Sequence, residues 1–168
     1  FFYVRFLLFS LCLWYLLIKY ENLLKYIFYS LLFCFLILIF DGYFQFFSQK
    51  NIFGWPLIDT RVSSFFKDEL ILGSYFSRVF PIFFAIYIWI SGQKIFLKKF
   101  NNSLIYIIVF LFICIDVLIF LSGERVALFY LNLSSIFIIF FIPSYKKMRI
   151  FTILISILII FSISVFKP

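Results

Sequence analysis

Leu104–Leu121 reads LIYIIVFLFICIDVLIFL, an apolar run broken by a single charge at Asp116. A helix needs about 20 apolar residues to cross the hydrocarbon core of a bilayer. A membrane strand would alternate polar and apolar side chains, and this run does not. The same pattern recurs outward in both directions. Further runs lie at 1–18, broken by Arg5, at 26–40 with a possible extension to Phe47, and at 70–90, 126–142 and 150–166. The expected fold is therefore all-α: one polytopic membrane helix bundle of about six spans occupying residues 1–168.

Composition agrees. The chain is 66% hydrophobic and 13% charged, with a mean hydropathy of +1.18, too much apolar surface for a soluble domain of this length to hide. The 30 Phe and 11 Tyr are read as lipid-facing or packing residues rather than as a ligand box. Cys12, Cys34 and Cys114 sit inside apolar runs without metal-ligand spacing and read as small buried hydrophobes. No His is present, so no His-based catalysis or metal site is expected within these residues. The chain opens with Phe1 inside one apolar run and stops just after another, which reads as a piece of a longer protein.

The net charge of +8 would suggest nucleic acid in a soluble protein. Here the cations cluster in short connections, so bilayer topology and anionic headgroups are the better reading, and no nucleic-acid partner is expected. Lys19 and Lys25 lie in the first connection, Lys94, Lys98 and Lys99 in the third, and Lys146, Lys147 and Arg149 in the fifth. The positive-inside tendency puts these three in the cytoplasm. The long connection 41–69 and the turn Ser122-Gly123-Glu124-Arg125 then share the outer face.

That face holds the polar chemistry. Within DTRVSSFFKDELILGSYFSR (59–78) stand Arg61, Asp68, Glu69 and Arg78. A structural reading makes Ser63 or Ser64 a helix cap, with Asp68 and Glu69 in the first turn facing the positive end of the dipole. It serves Glu124 as well, as a first-turn carboxylate, but not Arg125, since a cation opposes the dipole there. Arg78 lies about 12 Å into the third span and Asp116 about 9 Å from the end of the fourth, counting 1.5 Å per residue. An unpaired charge at such depth is costly, so the two are expected to form a buried pair or to share a water-filled cavity. Arginine suits phosphate through its fixed fork of donors, and a carboxylate can act as general base toward a hydroxyl.

RVSSFFKDELILGSYFSRVFP and LSGERVALFYL, preceded by DGYFQFFSQKNIFGW, resemble the O-antigen ligase and O-antigen polymerase superfamily of bacterial envelopes. The resemblance implies a many-helix glycosyltransferase of the bacterial inner membrane, needing no metal or other cofactor. Such enzymes take a glycan from undecaprenyl diphosphate at the periplasmic face and pass it to an acceptor glycan or to lipid A core. By motif position, Arg61, Arg78 and Arg125 would bind the diphosphate. Arg61, Asp68, Glu69, Glu124 and Arg125 would be the catalytic candidates. The family's functional His belongs to a later periplasmic loop that these residues do not include. The alternative from another class is a transporter or flippase for a lipid-linked envelope glycan, and a third is a structural membrane subunit.

Overall fold

The computed structural model describes residues 2–20, 22–92 and 101–166. It is all-helical. The order is α1 (Phe2–Lys19), α2 (Leu23–Ser48), α3 (Leu72–Gly92), α4 (Asn101–Leu121), α5 (Arg125–Phe141) and α6 (Pro143–Phe166), with one turn of 3₁₀ helix at Ser64–Phe66. Four of these helices, in α2, α3, α4 and α6, are long and apolar enough to cross a membrane. Helix is the form such sequences take in lipid, because it satisfies every backbone donor and acceptor within the segment.

The run quoted at the outset forms the centre. α4 packs against α2, α3, α5 and α6, while α1 lies at the edge against α2. Ile108, Leu111, Ile115 and Leu118 of α4 are wholly buried. On the outer helices the apolar residues point away, as Phe151, Leu154, Leu158 and Phe161 do on α6. Between α2, α3 and α4 the core is aromatic. Phe28 stacks on Phe83 with ring centroids 4.7 Å apart, and Phe80 meets Phe112 edge-on at 4.7 Å. Pairs of this kind are worth roughly 0.5–1.5 kcal/mol beyond their buried area. Gly42 lets α2 approach α4, since a Cβ there would stand 3.0 Å from Leu118 Cδ2. Small residues at such crossings are how helices gain contact where lipid is as apolar as leucine. Pro81 sits inside α3 without ending it.

Two boundaries differ from the sequence reading, each because a polar residue at a span end is held in the bundle. The outer loop expected at 41–69 begins later, in keeping with the extension to Phe47 that the second span allowed: α2 runs on to Ser48, and Asp41 is a buried helical residue. The fifth connection shrinks to Ile142, because PSYKKMR is the start of α6 and Arg149 lies within it, 1% exposed. Arg149 therefore leaves the tally of loop cations, while Lys146 and Lys147 stay exposed. Lys94, Lys98 and Lys99 lie outside the described residues.

Candidate functional site

One end of the bundle carries the long connection and the 122–124 turn together. The connection folds back on the last turns of α2. Asp41 accepts from the Ile52 N–H at 3.0 Å and from the Ser64 hydroxyl at 2.6 Å. One turn on, the Gln45 side-chain oxygen accepts from the N–H groups of Ser63 and Ser64 at 3.0 and 2.7 Å. Asn51 donates to the Ser64 carbonyl and accepts from the Trp55 N–H. Val62 donates to the carbonyl of Leu121, which ties the connection to the end of α4. Asp41 and Gln45 are both fully buried, and Ser64, at φ +52°, is held in the left-handed region by bonds to both.

The turn and the start of α3 are clasped by Glu124. One oxygen accepts from the Gly73 N–H at 2.6 Å, and the other accepts from the N–H and hydroxyl of Ser74. The unpaired N–H groups of a helix's first turn attract a carboxylate, and here it arrives from another segment. Gly73 is the glycine this contact needs. A Cβ there would stand 2.5 Å from Ser122 Oγ and 2.9 Å from Glu124 Oε1. Asp68 and Glu69 therefore do not occupy the first turn of α3, which begins at Leu72. Both are exposed, and Asp68 lies 3.7 Å from Lys67. Glu124, expected as a possible proton acceptor, has both oxygens engaged in the clasp.

The three arginines differ in setting. Arg61 lies over the turn: a Cβ built on Gly123 would be 2.9 Å from its Nε and 3.0 Å from its Cδ. It borders an opening of about 520 Å3 with Phe46, Gly123 and Ser164. Arg125 is the first residue of α5 and is exposed. Neither forms an ion pair among the described residues. Arg78 is also exposed, and it borders a different opening, the groove between α3 and α5. The three arginines that the resemblance would set on one diphosphate are thus divided, with Arg61 and Arg125 at the turn and Arg78 at the groove.

The expected pair of Arg78 with Asp116 does not form. Asp116 pairs with Arg149 through two bonds, Nη1 to Oδ2 at 2.7 Å and Nη2 to Oδ1 at 3.0 Å. Arg149 also donates to Ser135 of α5 and to Thr152, and Ser156 donates to Asp116. Its guanidinium lies 4.5 Å from the Phe112 ring centroid. Among the described residues no buried side-chain polar atom lacks a partner. Contact with Thr152, three residues further on, means that Arg149 carries its charge forward into the bundle rather than back to the helix end. The sequence reading missed it because Lys146-Lys147-Met148-Arg149 looks like one loop cluster. The available signal was the spacing Arg149, Thr152, Ser156, a polar stripe on one face of an apolar helix.

Among the described residues no three His, Cys, Asp or Glu side chains stand together as a metal site. Comparison with known protein families, with curated proteins and with solved structures returns no match.

Proposed function

We propose that this chain belongs to a membrane glycosyltransferase of the O-antigen polymerase or ligase type, working on a glycan carried by undecaprenyl diphosphate at the periplasmic face of the bacterial inner membrane. The observation that supports the reading is the Glu124 clasp. It holds the Leu70–Ser74 segment against the Ser122–Arg125 turn, at the end of the bundle where Arg61 and Arg125 are exposed without a carboxylate partner among the described residues. Asp41, Gln45 and Glu124 are engaged within the bundle, whereas these two guanidiniums remain available for an anion.

In this mechanism the oxygen of an acceptor hydroxyl attacks the anomeric carbon of the donor sugar. The bond from that carbon to the phosphate oxygen breaks, and the electron pair leaves with the diphosphate. Arg61 and Arg125 stabilise the charge gathering there, a preorganised electrostatic role of the kind for which a single oxyanion-hole donor is worth about 2.7–4 kcal/mol. The acceptor's proton passes to a carboxylate. Asp68 and Glu69 are exposed for that role, whereas Glu124 already accepts hydrogen bonds on both oxygens.

The test is deletion of the gene in its own host, with the lipopolysaccharide ladder read on a gel. Loss of the ladder, with glycan left on undecaprenyl diphosphate, assigns a ligase. A single short rung assigns a polymerase. An unchanged ladder refutes the substrate, and glycan moving across vesicles without a new glycosidic bond replaces the enzyme with a transporter.

A further inference from the structure

The groove between α3 and α5 has a volume of about 540 Å3 and is bordered by Arg78, Ala85, Ile88, Tyr130, Leu133 and Phe137. Its walls are almost wholly apolar, yet it carries one full positive charge. Arg78 makes no ion pair or side-chain hydrogen bond among the described residues, although Asp116, the acid expected to neutralise it, is buried elsewhere with Arg149. An isolated guanidinium on the apolar flank of a helix bundle is costly unless an anion or water meets it.

Geometry limits what that anion can be. Arg78 lies six residues beyond Leu72, the first residue of α3, or about 9 Å along the helix axis. The Cα–Cβ bonds of a helix tilt toward its N-terminus, which favours the loop end of the groove for the charged head. From Arg78 the apolar walls continue along α3 to Ile88, about 15 Å further at 1.5 Å per residue. A charged head above a hydrocarbon slot is the shape of a membrane lipid. Tyr130, 42% exposed, borders the same groove.

We infer that the α3–α5 groove is a binding site for an anionic glycerophospholipid, its phosphate on Arg78 and an acyl chain along Ala85 and Phe137. It is separate from the Arg61 and Arg125 turn and does not depend on glycosyl transfer. Charge complementarity selects an anionic head over a zwitterionic one, because a choline would bring a second positive charge to an arginine already without a counter-ion.

The test reconstitutes the full-length protein in vesicles of equimolar phosphatidylglycerol and phosphatidylcholine. After extraction in mild detergent, the retained phospholipid is quantified by mass spectrometry. The wild type is expected to retain phosphatidylglycerol in preference. Arg78→Gln should reduce the preference about tenfold, the ratio that corresponds to 1.4 kcal/mol, while Arg78→Lys keeps most of it. Ala85→Trp fills the slot without changing charge and should reduce retention of both lipids. Arg125→Gln should leave the preference intact. Equal retention of the two lipids by the wild type overturns the inference. So does loss of preference in Arg125→Gln as large as in Arg78→Gln, or an Ala85→Trp protein that retains lipid as the wild type does.

Discussion

Glu124 accepts a 2.6 Å hydrogen bond from the backbone N–H of Gly73, 51 residues away in sequence. With its second oxygen on Ser74, it caps a helix to which it does not belong. The contact joins the two most polar stretches of the chain and brings the 122–124 turn beneath Arg61. Separate motifs in the sequence thus form one structural unit, and the acid between them serves to hold it together.

Removing the clasp should therefore act first on stability. Glu124→Ala leaves the Gly73 and Ser74 N–H groups without their acceptor and should cost about 0.5–2 kcal/mol, as loss of a helix cap does. Thermal unfolding in detergent reads this as a lowered midpoint. Glu124→Gln keeps the acceptor oxygen but loses the charge, and should fall between the two. Equal midpoints for all three proteins would show that the clasp contributes nothing.

Gly73→Ala should be worse than Glu124→Gln. The added Cβ would meet Ser122 Oγ at 2.5 Å and Glu124 Oε1 at 2.9 Å, and neither atom can withdraw without giving up its own hydrogen bond. The expected result is a larger fall in the unfolding midpoint. A Gly73→Ala protein as stable as the wild type would mean that α3 and the turn are less closely apposed.

The buried pair gives a double-mutant cycle. Asp116→Leu or Arg149→Leu alone leaves an uncompensated charge and should cost about 3–5 kcal/mol, while the joint change is close to neutral. Unfolding free energies of the four proteins measure the coupling. The same cycle on Arg78 and Asp116 should show none, because those residues do not touch. Coupling in the second cycle and not in the first would reverse the assignment of the pair.

Asp41→Ala or Gln45→Ala should free the long connection, since these two side chains fasten it to α2 through Ile52, Ser63 and Ser64. A cysteine introduced at exposed Ile52 reports the change in a protein whose native cysteines have been replaced. Labelling by a water-soluble maleimide should be faster in either variant than in the parent. Unchanged labelling would show that the connection is held from elsewhere.

Much of the fold was legible because hydropathy alone marks a span, and Leu104–Leu121 became the central helix with the end expected for it. The errors fell where a polar residue lies within a helix. Asp41 and Gln45 read as loop unless the second span extends to Phe47, because they end a hydrocarbon run, yet they are four apart and face the same packed connection. Arg149 looked like a surface cation because two lysines precede it, and only helical spacing separates it from them. The pairing of Asp116 was misjudged for a related reason. Depth along the helices named Arg78 as partner, whereas partner choice is set by which faces meet, and α4 meets α6 through Ser156 and Arg149. The Glu124 clasp could not be read at all, because it depends on a backbone N–H that every residue except proline supplies.

The most direct test of the central claim is complementation of the gene deletion by Arg125→Ala, followed by the lipopolysaccharide ladder and by the amount of protein in the membrane. Glycosyl transfer assisted by Arg125 predicts normal protein level, no ladder, and glycan accumulating on undecaprenyl diphosphate. A full ladder from Arg125→Ala at normal protein level would contradict the role given to Arg125, and with it the mechanism proposed for the turn.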